Sequence, residues 1–317
     1  MATAFSPSGS VTTTTADKFI PDIWSDEIVA AYKKNLVLAN LVMKMNFKGK
    51  KGDTIHIPAP TRGSASAKAA EAAVTLIAAT ESEVNVSINK HYEYSRLIED
   101  IVEAQALNSL RNFYTSDAGY ALAKQVDTDL VQLGRSTNGG AGTNAYATGA
   151  FIGGDGTTAY VAANNNESAL TDAAIRRTIQ RLDDTDTPMD QRFFLIPPSS
   201  RNTLMGLARY TEQAFVGGTN STIRTGEIGN LYGIPVFVSS NCDTASGTGA
   251  ARVCIMGHRD AVVLVEQVAV RSQVQYKQEY LATLFTSDTL YGVQILRSAA
   301  SVSAAKSASM FALLVPA

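Results

Sequence analysis

The sequence predicts an α+β fold with more than one domain, and three observations carry that expectation. Residues 102–134 hold one long stripe of apolar side chains at helical spacing. Between 171 and 256, β-rich runs alternate with amphipathic helical stretches, the pattern of a central sheet flanked by helices. Near the C-terminus, VAVRSQVQYKQEY and TLYGVQILR alternate apolar and polar residues over lengths that suit long antiparallel strands.

Taken in chain order, the elements are as follows. Residues 1–16 are rich in Ser and Thr and read as mobile or extended. Residues 22–45 allow a short, uneven amphipathic helix through Ile23, Ile28, Ala31, Leu36 and Leu38, an arm rather than a core element. DTIHIP (53–58) and VNVSI (84–88) alternate as half-buried strands. The Ala/Ser-rich segment between them carries no tight-turn signal, so 53–95 reads as a long two-stranded excursion from the body. The helix at 102–134 presents Leu107, Leu110, Tyr114, Ala118, Leu122, Val126, Leu130 and Leu133 on one face, with Gly134 as its stop. A Gly/Asn/Thr-rich stretch at 136–166 marks a domain boundary. Thr171 caps a helix whose buried face is Ile175, Ile179 and Leu182. RFFLI (192–196), residues 234–238 and RVCIM (252–256) read as strands, and PPSSRNTLMGLA as a turn into a helix. GHRDAVVLVEQ is expected to form a further short helix. Residues 281–288 are expected to reverse the chain between the two long strands, and the C-terminus to close on a helix-like Ala/Ser piece and an apolar tail, MFALLVPA.

Composition narrows the function. The chain has 317 residues, 45% apolar and 18% charged, with a formal net charge of −2. Such a balance gives no global field to attract nucleic acid or an anionic membrane. Lys44, Lys48, Lys50 and Lys51 form a local basic run, which reads as a solvated turn before a strand. No apolar run is long enough for a transmembrane helix, and MATAFSPSGSVTTTT has neither the basic start nor the apolar stretch of a secretory signal. Cys242 and Cys254 make no disulfide framework and no zinc knuckle, which suits a reducing compartment. The sequons at Asn85, Asn166 and Asn220 carry little meaning without a secretion signal.

Catalytic constellations are weak. His56, His91 and His258 are isolated in sequence, and no His-Glu-x-x-His or Gly-x-Ser-x-Gly appears. Ser303-Ala-Ala-Lys306 lacks the companion motifs that would make it a nucleophile site. Asp183, Asp184, Asp186 and Asp190 lack the order of a calcium loop and read as a helix end followed by a polar turn. No catalytic, cofactor or metal residues are assigned. In GEIGNLYGIPVFVSS, Gly226, Gly229 and Gly233 precede a strand containing Pro235 rather than a helix, so no helix N-terminus is present to meet a phosphate. Those four residues form a structural turn that delivers a strand into a sheet.

In this order, the pieces resemble the major capsid protein of tailed bacteriophages, the Hong Kong 97-type fold shared with herpesvirus capsid proteins. The excursion at 53–95 resembles that family's extended E-loop, and the rod at 102–134 its spine helix. LDDTDTPMDQRFFLIPPSSRNTLM (182–205) and GEIGNLYGIPVFVSSN resemble segments of its axial domain. SDTLYGVQILRSAA resembles the last strand of its peripheral domain. The resemblance implies an N-terminal arm at 1–50, an E-loop at 51–95, a peripheral domain with the spine helix at 96–145 and an axial domain at 146–265. Peripheral strands at 266–300 and a C-terminal tail at 301–317 complete it. Pro60, Arg62, Lys68, Glu71, Leu76 and Ile77 become E-loop residues that contact a neighbouring copy. Leu107, Leu110, Tyr114, Leu122, Val126 and Leu130 become the spine-helix face.

The implied function is structural: hexamers and pentamers building an icosahedral head around double-stranded DNA, bound without sequence specificity and without a membrane. The chain shows no long charged N-terminal helix to serve as a built-in scaffold. The resemblance therefore implies a separate scaffolding protein and a portal, with a decoration protein as a further candidate. Assembly is expected in the host bacterial cytoplasm, and the protein in the virion capsid. The alternatives are an encapsulating shell of the same fold holding protein cargo, and a soluble enzyme using the Gly-rich loop at 136–156.

Overall fold

A computed structural model describes residues 37–48, 52–60, 63, 65–71, 73–74, 76, 81–100, 109–133, 151–161, 165–207, 229–242, 251–296 and 309–316. Two sheets and two long-range hydrophobic cores organise them. The first sheet has four strands: β1 (Met43–Asn46), β4 (Lys90–Glu99), β10 (Val262–Lys277) and β11 (Ala282–Ile295), in the order β1-β10-β11-β4. The second has six, in the order β5-β12-β9-β6-β8-β7. Its members are β5 (Phe151–Ile152), β6 (Arg192–Ile196), β7 (Asn230–Leu231), β8 (Ile234–Val238), β9 (Ala251–His258) and β12 (Met310–Pro316). A separate hairpin pairs β2 (Thr54–Pro60) with β3 (Glu81–Ser87), antiparallel and in register from Thr54↔Ser87 to Pro60↔Glu81.

Four described helices complete the body: α1 (Leu38–Leu41), α2 (Ser109–Leu133), α3 (Asp172–Asp184) and α4 (Pro198–Met205). The 25 residues of α2 span about 37 Å at 1.5 Å each. The Thr171 side chain accepts from the Ala174 amide at 3.3 Å and so caps α3, whose Ala174, Ile175, Thr178 and Leu182 are buried. Pro198 opens α4, where a missing amide hydrogen costs nothing.

The six-stranded sheet is covered on both faces. One face carries Phe194, Ile196, Cys254, Met256, Phe311 and Leu313 against α3 and α4. The other carries Phe193, Leu195, Val253, Ile255 and Leu314 against α1, α2 and one face of the four-stranded sheet. This double burial explains why RFFLI is apolar throughout instead of alternating. A third cluster seats the root of the hairpin. Val86 and Ile88 pack on Val263 and Val265 of β10, with Ile55, Ile57 and Leu290 half-buried around them.

Four expectations are corrected. GHRDAVVLVEQ is not a helix: Arg259–Ala261 makes one 3-10 turn, and Val262 starts β10. The β-branched run VVLV is buried on both faces of a strand, and periodicity cannot tell such a run from a helical one. MFALLVPA is not a tail but β12, an inner strand paired antiparallel with β9 and parallel with β5. The chain reverses at 278–281, with Leu281 at φ 43, while residues 282–288 already belong to β11. Finally, the end of the expected arm is core. Leu38 and Val42 are buried, and β1 runs parallel to β10 from Met43↔Val263 to Asn46↔Glu266. Residues 1–36, 101–108, 134–150 and 297–308 lie outside the described residues. They include most of the expected arm, the first part of the expected rod, much of the Gly-rich loop and Ser303–Lys306.

Candidate assembly surfaces

Two surfaces stand apart from the cores. The first is the excursion beyond the hairpin. Lys68 and Glu71 are exposed there, Glu71 with φ 63, and Val74 and Leu76 are 70% and 90% exposed. Pro60 ends β2 opposite Glu81; Arg62 and Ile77 lie outside the described residues. Along the stem, His56 Nδ1 lies 3.1 Å from Glu83 Oε2. The Asn85 and His56 side chains hold the Glu83 carboxyl below its usual range.

The second surface is the far half of the four-stranded sheet. β1 pairs with β10 only as far as Glu266, so no described strand covers the outer edge of β10 from Val268 to Lys277. Val270, Val274, Tyr276, Tyr280 and Leu281 are exposed along this edge and its tip. Arg271 grips Asp288 on β11 through two 2.8 Å hydrogen bonds, and His91 Nε2 lies 3.2 Å from the same carboxylate. Arg271 first, then His91, depress the Asp288 pKa. On the other face, the Arg96 guanidinium lies 5.1 Å from the Tyr114 ring centroid of α2, and the Tyr94 hydroxyl donates to Asp117 at 3.2 Å.

The α2 rod ties these parts to the six-stranded sheet. Leu122 and Leu130 are buried, Val126 packs at the core margin and Tyr114 is half-buried; Leu110 lies within α2, and Leu107 lies outside the described residues. Two polar anchors on the same helix were missed from sequence. Buried Asp129 accepts from Lys90 at 2.9 Å, Tyr291 at 2.8 Å and Gln125 at 3.0 Å. Burial, then the bond to Asp129, pushes the Tyr291 phenol up. Buried Asp127 accepts from the Ala39 backbone amide at 3.2 Å and from the Asn241 side-chain Nδ2 at 2.9 Å, joining α1, α2 and the segment after β8. Burial raises its pKa. No spacing rule distinguishes these aspartates from solvated ones; only the three-dimensional donors do.

Gly229 and Gly233 have φ 58 and 82, and Gly226 lies outside the described residues. Tyr232, at φ 52, and Gly233 are the two residues between β7 and β8. Positive φ at both is what a tight two-residue hairpin loop requires. Pro235 lies on β8 opposite Asn230.

Several of the groups that could have carried chemistry are paired or buried. His258 is buried and its Nδ1 accepts from the Asp260 amide at 3.2 Å. Asp183 pairs with Arg192 at 2.8 Å. Cys242 and Cys254 are free and buried, and burial pushes the Cys254 thiol up to about 12. Among the described residues no cluster of His, Cys, Asp or Glu could hold a metal ion, and no helix is long and apolar enough to cross a membrane.

A four-stranded and a six-stranded sheet, a long helix and a separate two-stranded hairpin define a mixed α+β fold. Residues 17–304 match the phage capsid family, and the chain belongs to it. It is thus a structural capsid protein, and both family and fold point away from an enzyme. Solved structures agree on the fold. That of Mycobacterium phage Che8 matches with TM-score 0.72 at 20% identity, covering 93% of this chain and 97% of the other. The capsid structure of the cyanophage P-SCSP1u matches with TM-score 0.73 at 19% identity, over 98% and 99%. The capsid of Ralstonia phage GP4 matches with TM-score 0.64 at 14% identity, over 98% of each. A search of curated proteins gave no match.

Proposed function

We propose that this chain is a major capsid protein that assembles into hexamers and pentamers and closes an icosahedral shell around double-stranded DNA. Assembly takes place in the host bacterial cytoplasm with a separate scaffolding protein and a portal; a decoration protein is a further candidate partner. The observation that carries this reading is the pair of incomplete surfaces on one chain. The excursion exposes Val74 and Leu76, and the long outer edge of β10 exposes Val270, Val274 and Tyr276 beside backbone that no described strand pairs with. An open apolar edge is an aggregation hazard unless something covers it. A second copy that lays its excursion on this edge covers both surfaces at once. Because the two surfaces differ, the contact is heterologous and repeats around a ring until it closes. Lys68 and Glu71 would lie in this contact; Pro60, Arg62 and Ile77 belong to the same proposed surface.

Negative-stain microscopy of the purified chain, alone and co-expressed with a candidate scaffolding protein, tests the reading. Rings with five- and six-fold symmetry and closed shells are expected. A uniform small oligomer without rings under every condition would overturn it.

A further inference from the structure

We infer that Gly292 is the seat that sets the angle of the β2–β3 hairpin to the body, and so positions the excursion for its neighbour. The consequence for assembly rests on the function proposed above; the seat itself does not.

The hairpin joins the four-stranded sheet by two short connections. One runs from β1 to β2 through residues 47–53. The other is only Ile88 and Asn89, between the last residue of β3 and the first of β4. That second corner crosses directly over β11 at Gly292. A Cβ built there would strike the Ser87 carbonyl oxygen and lie 3.1 Å from its carbon and 3.2 Å from Ile88 Cα. The obstacle is backbone, which cannot swing aside as a flexible side chain would. Gly292 does not have positive φ, so its bareness serves close approach and not an unusual conformation.

The corner is pinned around this point. The Ile88 amide donates to Asp53 O at 2.7 Å, which clamps the two connections together. The Gln267 side chain donates to Gly52 O at 3.0 Å and ties the first connection to β10. Val86 and Ile88 are buried against Val263 and Val265 on either side of the crossing. With the root fixed at these points, a side chain at 292 tilts the hairpin instead of merely loosening it. To restore ordinary contact, β3 must retreat by about 1 Å. Each strand is seven residues long, about 23 Å at 3.3 Å per residue, so a tilt at the root is amplified along the hairpin.

The test uses the full chain with spin labels on Glu83→Cys of the hairpin and Gln275→Cys of β10, two exposed positions; native Cys242 and Cys254 are buried. The label separation in the unassembled protein is compared for Gly292, Gly292→Ala and Gly292→Val. A graded shift is expected, about 2 Å for Ala and larger for Val, with a far-ultraviolet dichroism spectrum like that of the parent. Shells from the unlabelled variants are expected to be absent or altered in diameter. Unchanged label separation in a folded Gly292→Ala protein would overturn the seat, and shifted separation with shells of normal size would overturn its consequence for assembly. If Gly292→Val is insoluble, Gly292→Ala alone decides. Failure of the wild-type chain to form shells would count against the proposed function, while the distance series would still decide the seat.

Discussion

The two sheets of this protein solve the problem of strand edges in opposite ways. The six-stranded sheet ends in β5 and β7, two residues each, and three of its four inner strands, β6, β9 and β12, are largely buried on both faces, while β8 is half-buried. Edges that short offer little for another chain to pair with. In the four-stranded sheet no described strand covers the outer edge of β10 over Val268–Lys277, and Val270, Val274 and Tyr276 are exposed there. Among the described residues, the open stretch on β10 is far longer than those that the two-residue strands β5 and β7 leave on β12 and β8, and a second chain could complete it. Stability and assembly should accordingly be separable by mutation, stability lying with the first sheet and assembly with the open edge and the excursion.

The largest expected effect comes from removing residues 309–317. This deletes β12 and with it the buried Met310, Phe311, Leu313, Leu314 and Val315. At about 1.5–3 kcal/mol for each large buried side chain, the loss is comparable to the whole stability of a typical protein, about 5–15 kcal/mol. The truncated chain is expected to be insoluble or to lack a cooperative unfolding transition by circular dichroism. A soluble chain with a wild-type melting curve would break the comparison, because the six-stranded sheet would then not depend on its own inner strand.

A smaller pair of changes sharpens it. Leu130 is fully buried on α2, and Leu130→Ala is expected to cost about 2–5 kcal/mol in urea unfolding. Leu76 is 90% exposed, and Leu76→Ser is expected to stay within about 0.5 kcal/mol of wild type. Assembly should respond in the reverse order, with Leu76→Ser reducing shell yield and Leu130→Ala, below its melting temperature, still able to form shells. If both variants lose stability, the excursion is packed on its own body in solution.

What was legible in the sequence follows the same division. RFFLI, residues 234–238, the Thr171 cap and the alternating strands were readable because each carries a local signal: an unbroken apolar run, glycines before a β-branched segment, an N-cap residue, or period two. β12 was not readable, since MFALLVPA looks like any apolar tail until β9 and β5 are seen on its two sides. The start of β10 at Val262 was lost for a related reason, because burial on both faces erases alternation. Asp127 and Asp129 were invisible because their partners come from distant chain positions, Ala39, Lys90, Asn241 and Tyr291. Of the two candidate surfaces, the excursion was legible as a departure from the body, from its length and its Ala/Ser content; its contact with a neighbouring copy is a proposal. The open edge of β10 was not legible, because it depends on where β1 stops.

The smallest effects are those of pH, and two aspartates should respond with opposite signs. Asp155 is exposed in the turn after β5. The Thr158 hydroxyl donates to it at 2.6 Å and the Thr157 and Thr158 amides at 2.8 and 2.9 Å, which hold its carboxyl at about 2. Its folded pKa lies below the ordinary 3.8, so its contribution is present above 3.8 and is lost as pH falls toward 2. The stability gap between wild type and Asp155→Ala should therefore close on acidification. Asp127 is the reverse case. Its folded pKa is raised above 3.8 by burial, so the ionised form opposes folding at neutral pH. Wild type should gain stability relative to Asp127→Asn as pH falls through the raised value toward 3.8. Urea unfolding of the three proteins between neutral pH and the acid limit of solubility measures both gaps. If the Asp127→Asn gap moved in the same direction as the Asp155→Ala gap, the donors from Ala39 and Asn241 would outweigh burial. The α1–α2 junction would then be an ionic-state anchor of the core and not a cost that the core sustains.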